Sequence, residues 1–541
     1  MRRTRSLTVV ALALVVLAAS CGDDSTNTTA TPTTPDKDKV ATGEGQQGSK
    51  PAPASVTITV PKDTDTFDPH TSLAEDGAQQ LFPFLYDGMV RRDLEGKILP
   101  AIATKWETTT TSGVFTIRDG MTCADGSPLD AAAVAKSYER FSTNNASKGR
   151  ARVFGVDGAE SIVADAAAKT VTIKLKGPNN DLLTGLANSG FVVCPGGVDN
   201  PDVMKSTSAG SGPYTLVEAK RGEKYVMNLR TDYAALPEGT TLADMPKTVT
   251  IQVVTEDATA ADLVEKNPGF VAGLQSSDVN RLKTNTALTL VEGQAYGTNA
   301  VVFAQAPGGK LADPKVRQGM AMLIDSEQAA AAETQNLGIP RRTLFTPNID
   351  CYNEAAEGYA PKYDPTAGAT FLDEAGYKKG ADGFRTKPDG SPLLINVVGD
   401  NTQFKAPDYL AKALTDGGFN VKLAVGTRSE SIVALLAGNF DVGSFPFTSS
   451  TPLPALWLNQ IGTGSGDNYS GVSNPEFDAA AKTALAAEGD ARCVAWQEAE
   501  RAVLEQVNVL PLDQPIKYWF GNGVTFNARF YKLDPFSIRG K

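Results

Sequence analysis

Histidine is almost missing from this 541-residue chain, in which His70 stands alone. A Ser-His-Asp triad, or a zinc site built on imidazole, would have to use that one residue. No Gly-x-Ser-x-Gly elbow, Walker loop or His-Glu-x-x-His motif occurs. Nothing in the sequence singles out a catalytic pair among the 62 acids. We therefore expect no catalytic residue, no cofactor and no metal. Cysteine is scarce, at five, and no Cys-x-x-Cys pair is present. Basic residues are outnumbered, 51 against 62, for a formal charge of −11. An acidic surface excludes nucleic acid, whose phosphates need a basic face. It also argues against electrostatic docking on anionic lipid. Beyond residue 20 no apolar run approaches the length of about 18 residues needed to span a bilayer.

What is present begins with an address. Arg2, Arg3 and Arg5 precede an apolar run from Leu7 to Ala19, and small residues follow. That pattern is a secretory signal over residues 1–20, cut before Cys21. Leu17-Ala18-Ala19-Ser20-Cys21 is similar to a bacterial lipobox, although Ala18 occupies the place usually held by Leu. Cys21 is then the lipidation site, holding the protein by acyl chains on the outer face of the bacterial cytoplasmic membrane. Residues 21–54 are rich in Ser, Thr, Pro, Gly and Asp and offer little to bury, so they are expected to form a disordered tether. Four cysteines remain, Cys123, Cys194, Cys351 and Cys493. An even number in an exported chain favours two disulfides, with three possible pairings.

The body is too long for one core and should divide into two or three lobes. It is 41% hydrophobic and 21% charged, with 50 glycines and 32 prolines, the balance of a turn-rich α/β protein. Period-two alternation at Val56, Ile58 and Val60, at Val171, Ile173 and Leu175, and at Val249, Ile251 and Val253 predicts strands. Leu393 to Val398 is a denser apolar run, as in a strand covered on both faces. Helices are predicted from Leu129 to Phe141 with Asp130 near the start, from Pro314 to Ile324 capped by Asp313, and from Asp364-Pro365 to near Gly376. Residues 475–506 read as a long or broken helical pair.

An ordered series of phrases carries a resemblance. Leu85-Tyr86-Asp87-Gly88-Met89 is followed by Pro100 to Trp106, by Arg118-Asp119-Gly120 and by Asp125-Gly126-Ser127-Pro128. Gly210-Ser211-Gly212-Pro213-Tyr214, Val316-Arg317-Gln318 with Ile324-Asp325, Tyr363-Asp364-Pro365 through Tyr377, and Asn474-Pro475-Glu476-Phe477-Asp478 continue it. Together they resemble the peptide- and nickel-type extracellular solute-binding proteins of family 5, over about residues 56–520. The resemblance implies an α/β fold of the periplasmic-binding-protein type (type II, cluster C), with two lobes, a hinge and a smaller inserted domain. Mapped here, lobe I covers 55–92, 206–296 and 506–541, the insert 93–205, and lobe II 297–505. It also implies a monomer that delivers a peptide or other small-molecule ligand to the permease and ATPase subunits of an ABC importer. On this map the pairs Cys123–Cys194 and Cys351–Cys493 each stay within one part.

In oligopeptide-binding relatives a lobe II segment carries an aromatic residue and an Asp that meets the peptide amine. The matching segment here places Phe447 at the aromatic position and Ser450 at the acidic one. From Val442 to Gly466 there is no charge and no histidine. Phe447, Thr448, Ser449, Ser450 and Trp457 are thus the candidate ligand contacts, joined by Tyr296 and Asn299 near the crossing between lobes. Hydroxyls give only neutral hydrogen bonds. A ligand amine would have to meet an acid elsewhere, such as Glu75 or Asp76, or else the ligand is neutral, such as an oligosaccharide. A sensing receptor would use the same clamp. His70, in Asp68-Pro69-His70-Thr71-Ser72, is expected to sit in a polar turn.

Overall fold

The computed structural model describes residues 48–541 apart from 49, 73–75, 145–146, 401–404, 450, 464 and 466–467. The signal segment, Cys21 and most of the tether lie outside these residues, as do Ser450 and Glu75.

Two mixed sheets organise the body. In the first, seven strands run in the order Leu288–Gln294, Ile516–Asn522, Phe270–Leu274, Ser55–Val60, Thr248–Val253, Lys224–Leu229 and Tyr214–Lys220. The alternating strand Ser55–Val60 pairs in parallel with both of its neighbours, Thr248–Val253 and Phe270–Leu274. The second sheet has six strands: Ile339–Pro340, Val509–Gln514, Tyr296–Phe303, Val442–Ser449, Leu394–Asp400 and Asn420–Gly426. Here Leu394–Asp400 is parallel to both Asn420–Gly426 and Val442–Ser449. A separate four-stranded antiparallel sheet, Ala103–Thr109, Ser112–Ile117, Thr170–Leu175 and Ala159–Asp165, has its own buried core around Phe115, Tyr138 and Phe141.

Helices begin where their caps dictate. Asp130 accepts from Ala133 N at 2.9 Å and opens Ala131–Thr143. Asp313 caps Pro314–Leu323, and Asp364 caps Pro365–Glu374. The expected pair over 475–506 resolves into Pro475–Ala486 and Gly489–Glu505. Trp496 and Val503 on the latter point into the second core.

The recurring phrases prove to be staples of the scaffold. Gly210 and Gly212 press against the Leu85–Tyr86 backbone, where a Cβ would come within 2.1 and 2.4 Å of it. Ser211 Oγ donates to Asp87 Oδ2 at 3.2 Å across the same contact. Buried Arg317 donates to the carbonyls of Leu311, Ala312, Gln506 and Val507. Asn474 caps its helix and reaches back to Ala502 O and Asn508 Oδ1. Gly120 and Gly126 both sit at positive φ, as their turns require. Disulfides join Cys123 to Cys194 and Cys351 to Cys493.

The chain passes between the two large sheets on adjacent antiparallel strands with almost no linker. Leu288–Gln294 in the first sheet becomes Tyr296–Phe303 in the second after Ala295 alone. Val509–Gln514 in the second becomes Ile516–Asn522 in the first after Pro515 alone. Tyr296 and residues 509–514, expected in the first lobe, therefore belong to the second sheet. Gly293 and Gly297 flank the first crossing and Pro515 makes the second, but the chain stays extended through both, so period-two alternation does not mark the change.

Candidate functional site

Ala295 and Pro515 lie side by side, with Ala295 N donating to Pro515 O at 3.0 Å. Gln514, fully buried, donates to Ala295 O at 2.8 Å and to Asn348 Oδ1 at 3.2 Å. Its side-chain Oε1 accepts from Arg341 Nε and Nη2 at 3.2 and 3.1 Å. Two single-residue crossings held by a buried polar network form a narrow hinge, since few dihedrals need change for the lobes to move.

A cavity of about 300 Å³ lies beside this hinge. Its first-sheet wall is made of Pro61 and Lys62, Thr255 to Asp257, and Gln275 and Ser276. These residues follow, or lie at, the carboxyl ends of the three parallel strands of that sheet, the usual ligand position in open α/β sheets. The facing wall comes from the second sheet and its helix Ser326–Thr334, through Asn299, Glu333, Pro446 and Thr448. Pro515 and Lys517 form the hinge end, and Phe530 and Tyr531 close one side. Thr448 Oγ1 and Tyr531 OH meet at 3.1 Å across the gap.

Of the sequence candidates, the structure brings Asn299 and Thr448 to this cavity. Asn299 Nδ2 donates to Asp513 Oδ1 at 3.1 Å. Burial pushes the Asp513 carboxyl well above the ordinary carboxylate range, and the neighbouring Glu333 adds to the effect. Phe447 projects from the opposite face of its strand, edge-on to Phe445 with centroids 5.7 Å apart, into the second core. Trp457 stacks obliquely on Phe345 at 4.8 Å in the same core. Tyr296 is also buried there, its hydroxyl accepting from Arg92 Nη1 at 3.4 Å. Ser449 is buried and accepts from Thr451 N at 3.0 Å. Period-two alternation explains the division, since Pro446 and Thr448 share one face and Phe445 and Phe447 the other.

Glu333 and Lys517 escaped the sequence reading. Both are about 95% buried yet line the cavity. Glu333 Oε1 accepts from Ser444 Oγ at 3.1 Å. Neither lies near the segment 442–466 in sequence. The detectable signal was a lone acid at the end of the alanine-rich helix Ser326–Thr334, which is weak.

His70 is fully buried and stacks on Phe141 at 4.5 Å. Its Nε2 donates to Phe191 O at 2.9 Å, and its Nδ1 accepts from Arg140 Nη1 at 2.8 Å. Both ring nitrogens are thus committed to protein, with Arg140 also paired to Asp68. Burial lowers the imidazole to about 4.

Two lobes joined at a narrow hinge, with a polar cavity between them, define a ligand-binding clamp. Residues 97–469 match the model of the bacterial extracellular solute-binding proteins, family 5, middle region, and the chain belongs to that family. The periplasmic murein peptide-binding protein of Escherichia coli K12 is 25% identical over 477 residues, covering 80% of this chain and 83% of the relative. Protein XP55 of Streptomyces lividans is 24% identical over 471 residues, 81% of this chain and 80% of that protein. A substrate-binding protein from Microbacterium hydrocarbonoxydans, solved with 4-hydroxybenzoate hydrazide, superposes with a TM-score of 0.74 at 26% identity, covering 90% of this chain and all of that one. Proteins of this family bind solutes for transport and are not enzymes.

Proposed function

We propose that this chain is the substrate-binding lipoprotein of an ABC importer, capturing peptides by interlobe closure and delivering them to a membrane permease. The observation that carries the peptide reading is the charge arrangement of the interlobe cavity. Glu333 stands on one wall and Lys517 at the hinge end, both buried, while Lys62, Glu256 and Asp257 stand on the first-sheet wall. A zwitterion needs an anion for its amine and a cation for its carboxylate, and both must be built in where water is excluded. Asn299, Thr448 and the strand ends supply neutral hydrogen bonds to the amides between. A volume of about 300 Å³ is at the small end of ligand sites, which favours short peptides. Ligand contacts made only when both walls close would stabilise the closed form over the open one.

The uncharged stretch 442–466 favours a second reading, a neutral solute such as an oligosaccharide. Native purification followed by mass spectrometry of the released solute separates the two. Titration calorimetry with di- and tripeptides should then show binding that Glu333→Gln weakens by about tenfold or more, the cost of losing one charge-assisted contact. Peptides that bind the variant as tightly as the parent, or an oligosaccharide as the carried solute, would overturn the peptide reading.

A further inference from the structure

A second cavity, of about 480 Å³, shares no lining residue with the first. It lies between the Tyr86–Pro100 segment and the carboxyl-terminal residues 527–536, and Asn188 and Phe191 also line it. The turn 529–532, closed by Arg529 N donating to Lys532 O at 2.8 Å, separates the two spaces. Phe530 and Tyr531 face the interlobe cavity, whereas Arg529 and Lys532 face this one.

Cations are concentrated here in a protein whose formal charge is −11. Arg92, Arg529 and Lys532 line the cavity, and none forms an ion pair with a carboxylate among the described residues. Arg92 donates to Tyr296 OH at 3.4 Å, and Arg529 donates to the Arg92 and Asp93 carbonyls. No described group hydrogen-bonds the Lys532 ammonium. Of the acids on the same walls, Asp534 is the one whose charge acts on Arg529 and Lys532. Asp87 holds Arg91 and Tyr233, and Asp93 takes Lys97 N within its own turn. Asp534 accepts from Phe536 N and offsets part of the charge of Arg529 and Lys532, and Glu238 is exposed. Burial, Arg529 and Arg92 together push the Lys532 amine down to about 7, with Asp534 opposing them. Arg92, Arg529 and Lys532 set against the single carboxylate of Asp534 leave an excess of positive charge, whose cost a bound anion would offset. Leu94, Leu99, Leu236 and Phe536 supply an apolar wall beside the cations.

We infer that this cavity is a second ligand site, selective for a small organic carboxylate with an apolar body. The cations Arg92, Arg529 and Lys532 meet the carboxylate, and the leucine and phenylalanine side chains cover the rest. The inference does not depend on the peptide reading of the interlobe cavity.

Benzoate serves as a minimal probe, with benzamide and benzylamine as neutral and cationic isosteres, in calorimetric titrations of the full purified chain. Benzoate should bind with one-to-one stoichiometry, at least about tenfold more tightly than either isostere, the difference of one charge-assisted hydrogen bond. Lys532→Met and Arg529→Gln should each weaken benzoate binding about tenfold or more, while Lys532→Arg retains it. Thermal melts identify any variant that fails to fold, and either of the two loss variants suffices alone. Glu333→Gln should leave benzoate affinity unchanged, which keeps this result apart from the interlobe reading. Equal affinity for benzoate and benzamide would overturn the proposal. So would parental affinity in the folded loss variants, loss of benzoate binding in Glu333→Gln, or no heat up to about 10 mM benzoate, well past millimolar affinity.

Discussion

Glu500 offers the sharpest quantitative test of the second lobe. It lies on helix Gly489–Glu505 and is 1% exposed. Its Oε1 accepts from the backbone N–H groups of Leu344 and Phe345 at 2.8 and 2.9 Å, while Oε2 has no partner among the described residues. Phe345 in turn packs on Trp457 and Trp496. Burial raises the carboxyl from 4.5 to about 8, so the folded protein keeps this proton at neutral pH. The unfolded chain releases it near 4.5. Between the two values the folded state binds more protons, and stability falls as pH rises, levelling off above about 8. At about 1.4 kcal/mol per unit, the loss between pH 5.5 and pH 8.5 is on the order of 3 kcal/mol. Glu500→Gln keeps the acceptor for both N–H groups and has no proton to lose. Urea unfolding of both proteins at the two pH values, followed by tryptophan fluorescence, reads the effect directly. The variant should gain about 3 kcal/mol on its parent as pH rises across that interval. An identical pH slope in the two proteins would refute the assignment of a neutral, buried Glu500.

His70 is the one histidine, so its proton NMR titration is unambiguous. Its Cε1 proton should show a neutral ring down to pH 5 and titrate near 4, and a midpoint near 6.5 would refute the buried hydrogen-bonded ring. The corresponding stability falls as pH drops from about 6.5 to 4, by about 3 kcal/mol. Removing the Cys351–Cys493 bridge with paired serines frees a separation of 142 residues, which should cost on the order of 5 kcal/mol by chain entropy. An unchanged unfolding midpoint would show that the bridge restrains little. Cys21→Ala should move the protein from the membrane fraction into the medium or periplasm, and continued retention would count against acylation.

Local physical chemistry made much of the scaffold legible from sequence. Alternation marked Ser55–Val60 and Thr248–Val253 because each presents its faces to different surroundings at a period of two. Asp130, Asp313 and Asp364 marked helix starts because orphan N–H groups need an acceptor nearby. The phrases that carried the family resemblance were legible because they staple the backbone, as Gly210 and Gly212 do against Leu85–Tyr86.

The binding surface was less accessible to the same reasoning. Phe447 and Thr448 are neighbours in sequence with opposite fates, and only the register of Val442–Ser449 against Tyr296–Phe303 decides which one meets the cavity. Glu333 and Lys517 are 184 positions apart and reach the same cavity from a helix end and a hinge strand. Sequence by itself determined an acidic α/β protein of the solute-binding family, because charge, periodicity, caps and the family's phrases are local properties of the chain. Only the tertiary structure decided where the lobes exchange strands, which acids and bases converge, and that Arg92, Arg529 and Lys532 share a cavity. Those outcomes depend on long-range packing, which no window of adjacent residues encodes.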